Sequence, residues 1–123
     1  MPAKQVIVIR KDLKMRRGKE IVQGAHAAMA FLTERLRQSP TVSLSPSERE
    51  WVEGIFTKVC VRVDSEDALR SIESRAKEEG IICHAITDSG LTEFQGRPTL
   101  TCLAVGPDED WKVDRITGHL ELY

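Results

Sequence analysis

The residues best suited to chemistry in this 123-residue chain are three polar side chains at helical spacing near its start. Lys19, Gln23 and His26 fall within about 60° of one another when each helical residue turns by 100°. A lysine can stabilise an oxyanion, an amide can orient a substrate, and an imidazole can contact a ribose or donate a proton. The alternative interpretation is three ordinary side chains on a solvated helix face.

A cluster of positive charge leads into this helix. Gly18 breaks the preceding strand pattern and permits a close backbone approach. The N–H groups and the dipole at a helix start already favour anions. We therefore predict that Lys14, Arg16 and Arg17 bind phosphate, although a charged surface turn is the plain alternative. Five basic residues lie within nine positions: Lys11, Lys14, Arg16, Arg17 and Lys19.

The distribution of charge supports a local binding surface. The formal net charge is -1, which argues against an indiscriminate binder of nucleic acid. Residues 1–37 carry nine Lys and Arg against three Asp and Glu, whereas residues 38–123 carry nine against sixteen. The first segment is therefore +6 and the second -7. This asymmetry is typical of a basic footprint on an otherwise neutral protein.

Composition predicts one small globular domain spanning residues 1–123. A charged fraction of 30% and a mean hydropathy of -0.28 are typical of a soluble protein. No apolar run approaches membrane-spanning length, and no charged-then-apolar leader opens the chain, so we expect a cytoplasmic location. The three cysteines show neither disulfide nor metal-ligand spacing, which predicts small buried thiols and no metal: Cys60, Cys83 and Cys102.

The hydrophobic pattern predicts an α/β fold. The first long helix is expected to bury Ile21, Val22, Ala25, Ala28, Met29 and Leu32, opposite the polar stripe. Ser47 and Glu50 form a capping-box pattern for a short second helix, and Asp64 or Ser65 caps a third that ends at Gly80. A last helix carries Trp111, Val113, Ile116 and Leu120. The four predicted strands lie at 6–9, 56–63, 81–87 and 100–105, and Gly106-Pro107 is expected to end the sheet.

The order of these elements constrains the topology. Strands separated by helices favour right-handed crossovers and a mostly parallel sheet. The third and fourth strands have no helix between them, so this pair can be antiparallel. Asp88 ends the third strand and Lys19 begins the helix after the first. If both strands end at the same edge of the sheet, the two side chains can meet there.

Three segments together carry a family resemblance. They are DLKMRRGK with Gln23 and His26-Ala27-Ala28; ITDSGLTE at 86–93; and LAVGP at 103–107 followed by VDRITGHLELY at 113–123. In this order they resemble the peptidyl-tRNA hydrolases of the archaeal and eukaryotic type. The resemblance spans nearly the whole chain. It implies a single domain with a four-stranded mixed sheet, helices on both faces and no cofactor.

The resemblance also implies an activity and its residues. The expected reaction is hydrolysis of the ester that joins a peptide to tRNA, with the acceptor stem and 3′ end as the bound partner and a homodimer as an assembly that the family permits. Lys19, Asp88 and Thr92 match functional positions of the family. Thr101 matches a fourth if one extra residue is allowed within 94–99, which makes Thr99 its competitor. The implied substrate-binding residues are Lys14, Arg16, Arg17, Gln23, His26 and Thr99.

Two departures from the family pattern keep other functions open. Leu91 stands where the family has an arginine, and Glu93 where it has a glutamine. Losing a cation and gaining an anion beside Asp88 weakens the attraction for phosphate. One alternative is a non-catalytic module that binds tRNA or a protein on the same fold. Another is a hydrolase of a different ester or acyl substrate.

Overall fold

The structure is a computed structural model that describes residues 2–91 and 93–123. A four-stranded sheet carries helices on both faces, as the sequence predicts. In chain order the elements are β1 (Ala3–Arg10), α1 (Arg17–Gln38), α2 (Pro46–Glu53), β2 (Lys58–Val63), α3 (Glu66–Glu78), β3 (Cys83–Asp88), β4 (Thr99–Glu109) and α4 (Asp110–Thr117).

The sheet is mixed, with strand order β2-β1-β4-β3. β1 pairs with β2 in parallel, whereas β4 lies between β1 and β3 and is antiparallel to both. Three strands therefore run in the same direction, but only one adjacent pair is parallel, which corrects the expectation of a mostly parallel sheet. The connection from β3 to β4 spans residues 89–98 and reverses the chain direction. Because β1 and β3 run the same way, their carboxyl ends lie at one edge of the sheet.

The strand β4 continues past Gly106-Pro107, so the prediction that this pair ends the sheet is wrong. Its pairing with β1 extends to Ala3 opposite Glu109, across a register shift between Lys4 and Val6. A bulge of this kind accommodates residues that cannot complete the regular ladder, and pairing resumes beyond it. The Gly106 N–H donates to the carbonyl of Ile82 at 2.8 Å, which keeps this part of β4 attached to the segment before β3.

The two faces of the sheet bury different helices. Val59, Val61 and Val63 point towards α3 and α4, as their alternation predicts, and Cys60 points towards α1. Ser65 caps α3 by accepting a hydrogen bond from the Ala68 N–H at 3.0 Å. The alternation of β2 therefore separates one core under α1 from a larger core under α3 and α4.

The buried face of α1 differs from the predicted one. The sequence places Ile21, Val22 and Met29 in the core, but in the structure they are 65%, 50% and 57% exposed. Small residues explain the difference, because they allow the helix to approach the sheet closely. A Cβ at Gly24 would lie 3.8 Å from Cγ2 of Ile7. The residues of α1 that are buried are Gln23, Gly24, Ala27, Ala30 and Phe31.

The cap of α2 lies two residues earlier than predicted. The Glu48 N–H donates to Ser45 Oγ at 3.1 Å, and the Ser45 N–H donates to Glu48 Oε1 at 2.8 Å. The pattern Ser-x-x-Glu occurs twice in this segment, and Pro46 selects the first copy because proline suits the first helical position. Arg35 of α1 adds an ion pair to Glu48 at 2.7 Å, which attaches α2 to α1.

The cysteines are free thiols. Cys102 is buried, and Cys60 and Cys83 are half-buried. Burial raises the pKa of the Cys83 and Cys102 thiols to about 12 and raises that of Cys60 as well. A thiol with so high a pKa forms little thiolate at neutral pH, so we expect low reactivity.

None of the helices in the described residues combines the length and apolar character needed to cross a membrane.

Candidate active site

A lysine and an aspartate meet at the edge where β1 and β3 end. Lys19 Nζ lies 3.0 Å from Asp88 Oδ1, and the two side chains are only 14% and 12% exposed. Lys19 lies in the first turn of α1 and Asp88 is the last residue of β3. The sequence predicts this meeting from the common direction of the two strands, and the structure shows the contact. A partly desolvated ion pair is held more firmly than one on an open surface.

Asp88 accepts hydrogen bonds on both of its carboxylate oxygens. Gln23 Nε2 donates to Oδ1 at 3.2 Å, and the Gly90 N–H donates to Oδ2 at 2.8 Å. The hydrogen bond from Lys19 is the main cause that lowers the pKa of Asp88, with the Gly90 N–H adding to it against the opposing effect of burial. The carboxylate is therefore ionised at neutral pH. It acts as an acceptor and offers an open lone pair to a further donor such as water.

A buried relay reaches Asp88 from the middle of the sheet. Thr101, in β4, donates its hydroxyl to Gln23 Oε1 at 2.7 Å, which directs the amide nitrogen of Gln23 towards Asp88. The Cys102 thiol also donates to the backbone carbonyl of Gln23 at 3.3 Å. Gln23 is 2% exposed and Thr101 is 0% exposed. In this arrangement neither side chain has surface to offer a substrate; Gln23 holds the carboxylate directly, and Thr101 orients Gln23.

The remaining predicted residues lie at different distances from this pair. Thr99 is paired with Asp88 across the β3–β4 ladder, and its hydroxyl donates to the carbonyl of Arg97 at 2.8 Å. His26 is exposed on α1 and lines a cavity of about 310 Å³ together with Thr87. Thr92 lies outside the described residues, so its predicted role stays a prediction.

Of the predicted basic residues, Arg16 lines a cavity beside Lys19, whereas Arg17 lines a different cavity with Glu20 and Tyr123. Lys14 follows a 3₁₀ turn at Lys11–Leu13 and adopts a left-handed conformation with φ 53°. Lys14, Arg16 and Arg17 are exposed. Arg16 precedes the first residue of α1, so its backbone and charge lie at the positive end of the helix dipole. A cavity of about 490 Å³ opens here and is lined by Arg16, Gly18, Lys19, Val22 and Glu93.

Two residues that sequence reasoning does not nominate also lie at the site. Glu93 Oε1 accepts a hydrogen bond from Arg16 Nε at 2.9 Å, and the Phe94 ring lies 6.0 Å from Lys19 Nζ. In the sequence, Glu93 stands out only as a departure from the family pattern. Its contact with Arg16 depends on the tertiary approach of two loops, which no local pattern reveals. Phe94 carries no sequence signal beyond its apolar character.

The arrangement has the parts that an ester hydrolase requires without a protein nucleophile. Lys19 supplies a positive charge for a developing oxyanion, and the ionised Asp88 can orient a water. The neighbouring loop supplies cations for a polyanionic substrate. Fold and site together therefore define a small α/β domain suited to hydrolysis of an anionic substrate.

Comparison with known proteins agrees with this class. The model of the family described as peptidyl-tRNA hydrolase PTH2 matches residues 3–123. A relative from Methanocaldococcus jannaschii named peptidyl-tRNA hydrolase is 41% identical over 119 residues, covering 97% of this chain and 98% of its own. The chain belongs to the peptidyl-tRNA hydrolase PTH2 family.

Other relatives extend the similarity to distant organisms. A peptidyl-tRNA hydrolase from Thermococcus onnurineus is 41% identical over 123 residues, covering 97% of this chain and 96% of its own. A protein from Dictyostelium discoideum named probable peptidyl-tRNA hydrolase 2 is 37% identical and covers 98% of this chain and 54% of its own. A solved structure of a protein of unknown function from Agrobacterium tumefaciens C58 matches the fold. Its TM-score is 0.62 at 16% identity, and the match covers 100% of this chain and 98% of that one.

Proposed function

We propose that the Lys19–Asp88 pair is the centre at which this chain hydrolyses the ester between a peptide and the terminal ribose of tRNA. Family membership supports the reaction. The observation that carries the site is the ion pair of 3.0 Å at the sheet edge, beside a cavity and a basic loop. A cation, an oriented carboxylate and an anion-binding surface converge there.

In this proposal water attacks the ester carbonyl carbon and a tetrahedral oxyanion forms. The Lys19 ammonium stabilises that oxyanion electrostatically, in a site where partial desolvation strengthens its effect. The carbon–oxygen bond to the ribose then breaks, and the departing ribose oxygen takes up the proton lost by water. Free tRNA and a peptide carboxylate are the products, and the second proton of the water passes to solvent.

Asp88 acts in this scheme by orientation. Because the pKa of Asp88 is lowered, the carboxylate is a weak base at neutral pH, and full abstraction of a proton from water is unfavourable. It holds the Lys19 ammonium in place and accepts a hydrogen bond from the attacking water. Gln23 and Thr101 are positioning residues, because they are buried and reach the reaction only through Asp88.

Binding of tRNA is assigned to the basic loop. Lys14, Arg16 and Arg17 are exposed, Arg16 lines the cavity beside Lys19, and all three can contact phosphates of the acceptor stem. Phosphate and 2′-hydroxyl contacts dominate recognition of A-form RNA, because side chains cannot read its deep major groove. His26 and Thr99 are proposed to contact the 3′ end or the peptide. A cytoplasmic location and a homodimer are further expectations, and the mass in solution tests the second.

The test uses the purified full chain with N-acetyl-aminoacyl-tRNA. Release of free tRNA, lost in Lys19→Ala and retained in Lys77→Ala, supports the proposal. Lys77 is a matched control, because it is a lysine paired with a carboxylate, Glu73, on the other face of the sheet. Binding without release would favour the non-catalytic module. Cleavage of a simple aryl ester but not of the tRNA ester would favour a hydrolase of another substrate.

A further inference from the structure

We propose that Glu93 competes with a tRNA phosphate for Arg16 and thereby sets the affinity and salt dependence of substrate binding. The inference rests on the proposed function and names a residue that tunes specificity at the same site. Glu93 is a positioning residue here, since it acts on substrate through Arg16. It does not take part in the bond-breaking step.

The geometry pairs Glu93 with the cation that is proposed to bind the phosphate, and both residues line the same cavity. Arg16 Nε donates to Glu93 Oε1 at 2.9 Å across two loops, one after β1 and one after β3. The Arg16 side chain is 79% exposed, whereas that of Glu93 is only 18% exposed. The exposed partner can swing towards a ligand while the carboxylate stays in the wall of the cavity. Lys19 lines the same cavity, so a phosphate seated there would be close to the catalytic cation.

The weakness of the Arg16–Glu93 ion pair allows a phosphate to replace Glu93 as the partner of Arg16. The ion pair is weak, because water solvates the exposed Arg16 guanidinium and salt screens its charge. A phosphate oxygen pair matches the planar guanidinium at least as well as a carboxylate does. Phosphate can therefore displace Glu93 from Arg16, but the released carboxylate remains beside the bound anion and opposes it.

This exchange has a distinctive effect on salt dependence. Each phosphate neutralised by a protein cation releases condensed cations from the nucleic acid. When Glu93 loses Arg16, its carboxylate attracts a cation from solution, so the net release is smaller. Removing the negative charge of Glu93 should restore the full release at this phosphate.

The experiment measures binding with an N-acetyl-aminoacyl-tRNA whose 3′ linkage is an amide, so that no hydrolysis occurs. We expect Glu93→Gln to lower Kd by about two- to fivefold. The slope of log affinity against log salt should steepen by a fraction of the roughly 0.7–0.9 that one phosphate contact contributes. On the hydrolysable ester, KM should fall and kcat should stay nearly constant. Glu93→Asp keeps the charge and should remain close to the wild-type slope.

Two controls separate this effect from general electrostatics. Glu79→Gln makes the same charge change in a matched pair, because Arg115 Nε lies 2.8 Å from Glu79 Oε1 on the face that carries α3 and α4. It should leave both Kd and slope unchanged. When Arg16 is already replaced by alanine, the gain in affinity and slope from Glu93→Gln should shrink by at least half. Without Arg16 there is no cation for which Glu93 and the phosphate compete.

The proposal is overturned if Glu93→Gln, folded normally, leaves Kd and slope unchanged, or if its effect is undiminished without Arg16. An equal effect of Glu79→Gln would also overturn it. Failure of the proposed function is distinguishable, because the wild-type chain would then release no tRNA from the ester substrate.

Discussion

Lys19 and Asp88 lie 69 positions apart in the chain, and their charged atoms lie 3.0 Å apart in the fold. The contact depends on β1 and β3 ending at the same edge, with the reversed strand β4 between them. A cation from one segment and a carboxylate from another thus form one unit. Removing either side chain should therefore disable the other.

Lys19→Ala should lose most of the hydrolytic rate. Loss of one electrostatic donor to an oxyanion typically costs about a hundredfold or more in kcat. Asp88 keeps its hydrogen bonds from Gly90 and Gln23, so the fold should persist with a stability loss of about 1–3 kcal/mol. Single-turnover hydrolysis and thermal unfolding measure the two effects. A folded variant that hydrolyses at the wild-type rate would exclude Lys19 from the mechanism.

The double variant Lys19→Ala with Asp88→Asn should be little slower than the worse of the two single variants. Groups that act as one unit give strongly non-additive losses, because neither functions without its partner. The rate constants of all four proteins, taken under single-turnover conditions, test this. Multiplicative losses would mean that the two side chains act independently.

Thr101→Val should impair the reaction from within the core. Valine has the shape of threonine but leaves Gln23 Oε1 without its donor, at a cost of about 1–3 kcal/mol in stability. The freed amide should hold Asp88 less well, and kcat should fall roughly two- to tenfold with little change in KM. Thr117→Val is the matched control, because Thr117 is buried on the other side of the sheet and its hydroxyl donates to the Val113 carbonyl within the same helix. An unaltered kcat in Thr101→Val would remove the relay from the mechanism.

Arg16→Ala with Arg17→Ala should weaken tRNA binding and leave kcat nearly unchanged. The slope of log affinity against log salt should flatten by roughly 0.7–0.9 for each phosphate that the protein no longer neutralises. Arg70→Ala with Lys77→Ala removes the same charge from α3 on the opposite face and should not alter the slope. If the Arg16→Ala, Arg17→Ala variant keeps the wild-type slope, as the control variant should, the tRNA binds elsewhere on the surface.

The pH dependence of stability should reveal the lowered pKa of Asp88. A carboxyl whose folded pKa is below its unfolded value of about 3.9 stabilises the fold above that value. This contribution is lost as the pH falls through the folded pKa. The difference in free energy of unfolding between wild type and Asp88→Asn should therefore be constant from pH 6 to 5 and shrink below pH 4. Urea titrations across this range measure it, and a constant difference down to pH 2.5 would contradict the lowered pKa.

Periodicity in the sequence predicts the strands well and the face of α1 poorly. The valines of β2 alternate as expected, because successive side chains of a strand point to opposite faces and the larger core takes every second residue. In α1 the larger apolar residues such as Ile21 and Met29 suggest the core face, yet Gly24 and Ala27 occupy it. Close packing against the sheet selects small side chains there, and simple counts of hydrophobic residues do not detect that preference.

Some contacts of the site could be predicted from the sequence and others could not. Lys19 and Asp88 could be paired from strand directions alone, since both lie at ends of predicted elements. The relay from Thr101 through Gln23 could not, because it depends on the exact height of α1 above β4. The contact between Arg16 and Glu93 joins two loops whose paths no local propensity determines.

The position of Thr101 in the last strand has a consequence for how activity arises during synthesis. The hydrogen bonds of the site join residues 65, 69 and 78 positions apart, and β4 must insert between β1 and β3 before they form. Contacts of such long sequence separation form late, because closing long loops costs entropy before the contacts repay it. A nascent chain that has not yet released β4 from the ribosome therefore has no assembled site. Hydrolytic competence becomes a property of the completed sheet, and it arises only after β4 has left the ribosome and inserted between β1 and β3.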